Sequence, residues 1–237
     1  MKRRNFIKAC AATAILVHHN PMLLAGSPEH NRRHSPVRLV DSRGEPIRAS
    51  ELKAHTNYVF NYPYEATPCF LLDLNRATET DVRMQSENGA EYVWRGGVGP
   101  KKSIVAYAAI CTHRLTHPTE HVNFIAYRQK HEPDAESGDN LITCCMEYSS
   151  YDPARGAAVT SGPAPSPLTG ILLEYDEATD ELLAVGTTSD ELLDRFFEQF
   201  RMQLELSYGG LDRARATVNG TATVVPLEEY TANDMAC

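Results

Sequence analysis

The chain has 237 residues, 42% of them apolar and 23% charged, with 14 glycines and 14 prolines, which excludes a collagen, a coiled coil and a wholly disordered polypeptide. Its 31 acidic and 23 basic residues leave a net charge of −8, which argues against a protein that grips nucleic-acid phosphates. No apolar run reaches the roughly 18 residues of a spanning helix, and six cysteines are too few for a disulfide scaffold of this length.

Taken in chain order, residues 1–26 read as an export signal or anchor, with Lys2, Arg3 and Arg4 ahead of a short apolar stretch at 9–17. The pair Arg3-Arg4 followed by Phe6-Ile7-Lys8 resembles a twin-arginine signal, which implies export of a folded protein to the bacterial periplasm. The segment is then cleaved, or kept as a membrane tether on the periplasmic side of the inner membrane. A basic amphipathic helix of the mature protein is the plainer alternative. Residues 27–35 are polar and read as a linker.

Residues 36–187 predict a mainly antiparallel β domain. Apolar or alternating runs at 37–40, 57–60, 70–74, 92–94, 103–110, 122–127 and 141–144 are punctuated by Gly, Pro, Asn and Asp. Residues 171–175 and 182–185 read as a hairpin, and the polar stretch 131–140 as a surface loop. Residues 188–237 form a C-terminal helix and an acidic tail. Thr188-Ser189-Asp190-Glu191 fits a capping box, and Leu192, Leu193, Phe196, Phe197, Phe200 and Leu204 then recur on one helical face up to Gly209-Gly210. The ordinary role of such a face is core packing. Residues 216–225 alternate again and are expected to return to the sheet.

Three segments carry chemistry. Cys111-Thr112-His113 follows one predicted strand, and Cys144-Cys145-Met146-Glu147-Tyr148-Ser149-Ser150-Tyr151-Asp152 follows another. The third is Ser161-Gly162-Pro163-Ala164-Pro165-Ser166-Pro167-Leu168. Thiol and imidazole donors placed at strand ends can clasp a metal centre. Read singly, each has a plain role: buried thiols, a disulfide of Cys144 or Cys145 to Cys69, a surface histidine, a stiff proline turn. Cys10 and Cys237 receive no function.

Together, in this order, the segments resemble the Rieske iron–sulfur family, with cluster loops at 111–117, 144–152 and 161–168. The resemblance implies a Rieske-like antiparallel β domain holding a [2Fe–2S] cluster, with two cysteines on one iron and two histidines on the other. It assigns Cys111 and His113 as ligands and implies that Ser149 and Tyr151 donate hydrogen bonds to cluster sulfurs. Gly162 and Pro163 lie in the covering loop. The second loop departs from the pattern. Counting back from Ser149 and Tyr151 places the cysteine at Cys144 and the histidine position at Glu147; sliding by one pairs Cys145 with Tyr148. The family's two additional loop cysteines are replaced by Thr116 and Met146.

Several ligand sets therefore stay open: Cys111, His113, Cys144 and Cys145 together; one of the adjacent cysteines with Glu147 or Tyr148; or recruitment of His117. An oxygen donor adds negative charge and lowers the potential relative to a second neutral imidazole. The implied function is an exported electron-transfer protein or redox-complex small subunit, partnered by a cytochrome or a larger oxidoreductase subunit. A cluster-free accessory protein of the same fold and a mononuclear metal-binding protein are the alternatives. Hydrolase and transferase motifs are absent. The acidity is uneven: residues 172–237 hold 14 acidic and 4 basic side chains, suited to a basic partner or simply to solubility.

Overall fold

Two strands are buried at every position, and the rest of the molecule is arranged about them. β3 (Pro68–Asp73) and β6 (Ile104–Ala108) pair antiparallel, Phe70 opposite Tyr107 and Leu72 opposite Val105, in the computed structural model. The structure describes residues 31–129 and 140–237; residues 1–26, expected as an export signal or anchor, and residues 131–139 of the expected surface loop lie outside them. Successive strand side chains face opposite ways. Phe70, Leu72, Val105 and Tyr107 therefore enter one core, while Cys69, Leu71, Ile104 and Ala106 enter another. Burying each large apolar side chain contributes about 1.5–3 kcal/mol, so a strand that feeds two cores is costly to perturb.

The central sheet runs β14 (Val225–Pro226), β2 (Tyr58–Asn61), β3, β6. One of its faces meets a second sheet, ordered β11 (Ile171–Asp176), β12 (Glu181–Thr187), β1 (Arg32–Val40), β13 (Gly220–Thr223). Val37, Leu39, Leu182 and Ala184 come from there. The 171–185 hairpin and the return of residues 216–225 to a sheet match expectation, although β13 joins β1 in parallel. β1 begins at Arg32, inside the stretch read as a linker.

The other face meets the sheet that builds the site: β10 (Ala158–Ser161), β9 (Ser149–Asp152), β8 (Leu141–Cys144), β7 (Ile125–Arg128). Ile125, Ile142 and Tyr151 fill this core with Met84 of β4 (Val82–Gln85) and Trp94 of β5 (Glu91–Trp94). Tyr151 is fully buried.

The single C-terminal helix expected from periodicity is two. α1 (Glu191–Gln199) and α2 (Arg201–Tyr208) meet at Phe200, whose ψ of 16° breaks the helical run. Leu192, Leu193, Phe196 and Phe197 pack under Ile110 and Leu115, so α1 supports the segment carrying Cys111. The capping box does not form. Thr188 Oγ1 instead accepts from Gly170 N at 2.9 Å, and Glu191 N donates to Ser189 Oγ at 3.2 Å. Tying the third loop to the end of β12 takes the hydroxyl that would have capped the helix. Two one-turn helices, α3 (Leu211–Ala214) and α4 (Leu227–Tyr230), complete the chain. No helix among the described residues is long and apolar enough to cross a membrane.

Candidate functional site

The three segments singled out in the sequence converge at one end of the β10–β9–β8–β7 sheet. Cys111 follows β6 in a tight turn: its N–H donates to Thr116 O, and Leu115 N donates back to Cys111 O, both at 2.8 Å. The turn is pinned from two sides. Thr112 Oγ1 donates to Ser166 O of the third loop at 2.8 Å, and Arg195 of α1 donates to Thr112 O at 3.4 Å.

Cys144 ends β8. The pairing of Cys144 with Ser149 across β8 and β9 closes a four-residue turn at 145–148 and sets which side chains face inward. Cys111 and Cys144 are each 2% exposed and enter the same core. Tyr151 Oη lies 3.2 Å from Cys111 Sγ and accepts from Thr112 N at 3.2 Å. The Cys144 thiol, the Tyr151 hydroxyl and the amides of His113 and Arg114 together pull the Cys111 thiol down to about 5 against the opposing effect of burial. Cys144 is pushed up because its proton is shared with that thiolate. Burial and the Cys111 charge raise Tyr151 likewise.

A second pair of donors stands nearer the surface. Glu147 Oε2 is 3.4 Å from His113 Nδ1, and its Oε1 accepts from Arg114 Nε at 2.7 Å. Glu147 thus faces His113, while Tyr148 is 66% exposed with φ of 58°. Gly162, with φ of 83°, brings the third loop onto the second: a Cβ there would lie 2.5 Å from Ser149 Cα. Pro163 is exposed.

Two expectations are corrected. Cys145 is not free to ligate a metal: it is disulfide-bonded to Cys237, Cα to Cα 5.3 Å. Adjacent strand-end residues point to opposite faces, so Cys144 enters the core and Cys145 turns outward to the C-terminal tail. His117 is also elsewhere. Its Nδ1 meets Leu115 O at 2.9 Å, and its ring stands edge-on to Phe196 and Phe200. Cys69 is buried on the opposite side of β3 and pairs with neither adjacent cysteine.

Thr112, Arg114, Arg195 and Cys237 are participants that sequence reasoning passed over. Cys237 alone carried a signal, as an unassigned cysteine.

The donors fall into two pairs, a thiol pair and an imidazole–carboxylate pair; no group of three among the described residues gathers about a single ion. One further atom bears on the fit. Ser149 Oγ is buried with no hydrogen-bond partner among the described residues, beside the loop that presents Cys144. A buried hydroxyl without an acceptor is costly, and a cluster sulfide would supply one. The residues fit a [2Fe–2S] cluster, with a carboxylate where a second imidazole is usual.

No family model matches the chain. It is similar to the iodate reductase subunit IdrB of Denitromonas iodatirespirans, 27% identical over 186 residues that span 78% of this chain and 80% of that protein. Among solved structures it is similar to the soluble domain of Rieske protein II (soxF) from Sulfolobus acidocaldarius. That match is 25% identical, covers 70% of this chain and 80% of that one, and has a TM-score of 0.45.

Proposed function

We propose that this protein is the electron-transfer subunit of a redox complex and carries a Rieske-type [2Fe–2S] cluster. The observation that carries the reading is the buried Cys111–Cys144 thiol pair, flanked by the Tyr151 hydroxyl and the unpartnered Ser149 Oγ. Similarity to a reductase subunit supports the partnership with a larger oxidoreductase chain; a cytochrome is the other candidate partner. The twin-arginine-like start supports a periplasmic location, with or without a membrane tether.

Cys111 and Cys144 would hold one iron, and His113 with Glu147 the other. When bound, the cluster supplies a one-electron carrier. The protein's own contribution is to exclude water from both thiols, which are 2% exposed, and to aim hydroxyls at the sulfurs. Tyr151 donates to the Cys111 sulfur, which favours the more negative, reduced state. Arg114 balances the Glu147 carboxylate at the rim, offsetting part of the charge that replaces a neutral imidazole.

The reading that competes is a cluster-free accessory subunit, favoured by one observation: Glu147 already closes an ion pair with Arg114 and faces His113. Analysis of iron and acid-labile sulfide in anaerobically purified protein, expressed with cluster-assembly machinery, separates the two. Two irons and two sulfides per chain, with an EPR signal on reduction, are expected. Their absence overturns the electron-transfer reading.

A further inference from the structure

The C-terminal tail touches the start of the 145–148 turn and the 120–128 segment that follows the Cys111 loop. Beyond α4 it runs beside the segment that follows the Cys111 turn. Ala232 N donates to Glu120 O at 2.9 Å, Asn123 N to Asn233 O at 2.8 Å, and Met235 N to Asn123 O at 2.9 Å. Side chains reinforce the backbone pairing. Buried Asn123 donates through Nδ2 to Asp234 at 2.7 Å while its Oδ1 accepts from Ile125 N at 3.1 Å. Arg128 reaches Asp234 through both terminal nitrogens at 3.2 Å.

Three residues past Asp234, Cys237 is joined to Cys145. Cys145 is the first residue of the turn that places Glu147 opposite His113, and its N–H donates to Phe124 O at 2.6 Å. The tail is thus laced non-covalently to the 120–128 segment and covalently to the turn. At the two positions where the resemblance expects an inter-loop disulfide, this chain has Thr116 and Met146. Met146 and Tyr148 are 49% and 66% exposed, so neither of these side chains anchors the turn in a core.

We propose that the Cys145–Cys237 disulfide and residues 231–237 form a redox-cleavable clasp that holds the 145–148 turn against the 120–128 segment that follows the Cys111 loop. With the disulfide intact, the tail fixes the turn through its first residue. Reduction by a dithiol takes two electrons and two protons, breaks the S–S bond to give two thiols, and oxidises the dithiol to its own disulfide. The turn then loses its covalent tether, and the tail keeps only its hydrogen bonds. The clasp is independent of whether iron is bound, because neither cysteine is a ligand.

The test is hydrogen exchange on the full-length protein, untreated, treated with dithiothreitol, and as the Cys237→Ser variant. A non-reducing peptide map is expected to contain one cross-linked pair bearing Cys145 and Cys237. Amides at 145–148 and 232–235 are expected to exchange at least tenfold faster in the reduced and variant proteins, while Leu71 and Ala106 stay protected. Absence of the cross-link, unchanged exchange at 145–148, or loss of protection at Leu71 and Ala106 together with the turn would each overturn the clasp. Reduction of folded wild-type protein keeps the test decisive if the variant does not fold. Iron and sulfide measured on the same samples distinguish failure of the clasp from failure of the electron-transfer reading.

Discussion

Glu147 and His113, contributed by different loops 34 positions apart in sequence, face each other with Oε2 3.4 Å from Nδ1. In the loop register of the Rieske resemblance, that carboxylate stands where an imidazole is expected. An anionic donor stabilises the oxidised, less negative cluster. Replacing Glu147 by His is expected to raise the reduction potential, by on the order of 100 mV. Pulsed EPR of the reduced protein should count one coupled imidazole nitrogen in the wild type and two in the variant. A second nitrogen already present in the wild type, or a potential that stays put, sinks this ligand assignment.

The Tyr151 hydroxyl lies against a cysteine sulfur. Tyr151→Phe removes the hydroxyl 3.2 Å from Cys111 Sγ and keeps the ring that fills the core. The expected result is a lower potential, by tens of millivolts in an EPR-monitored redox titration, since a hydrogen bond to sulfur favours the reduced state. An unchanged potential would show that the hydroxyl serves only Thr112.

In cluster-free protein, Cys111 is the thiol held below its ordinary pKa. Its pKa is drawn down to about 5, first by the Cys144 thiol, while burial pushes Cys69 up. The rate of alkylation at Cys111, followed by mass spectrometry, should rise through a midpoint near that pH and level off above it. Cys144→Ala removes the largest cause and should move the midpoint upward. A wild-type midpoint near the ordinary thiol value of about 8.5 contradicts this.

His117 predicts acid sensitivity. Burial against Phe196 and Phe200 lowers its pKa below the usual 6.5, opposed by the Leu115 carbonyl. A depressed value means that the unfolded chain binds the proton more readily. The stability associated with neutral His117 is complete above 6.5 and is lost as pH falls through the folded value. Urea denaturation at pH 7.5 and 5.5 should show a smaller pH-dependent loss in His117→Phe than in the wild type. Equal losses would remove His117 as the cause.

Gly162→Ala tests how the third loop is seated. Its φ of 83° disfavours a side chain, and a Cβ would lie 2.5 Å from Ser149 Cα and 2.6 Å from Tyr148 O. Such a contact with backbone cannot be relieved by rotating a side chain. A loss of about 1–3 kcal/mol is expected in denaturant titrations. A change within 0.5 kcal/mol, the ordinary range for surface substitutions, would mean that the loop shifts without penalty.

By itself the sequence determined the mainly antiparallel β class and the hairpin at 171–185, because these follow from local alternation and turn residues. Through the resemblance it also singled out Cys111, His113, Cys144 and Cys145 as candidate ligands, of which the disulfide takes Cys145. Only the tertiary structure decided the fates of Cys145 and His117, and which of Glu147 and Tyr148 faces His113. The pairing of Cys144 with Ser149 settles the last, since a shift of one residue would exchange the faces. The disulfide joins residues 92 positions apart, and no local pattern encodes that approach. It comes from the tail docking beside Asn123, a contact that exists only once the sheets have packed.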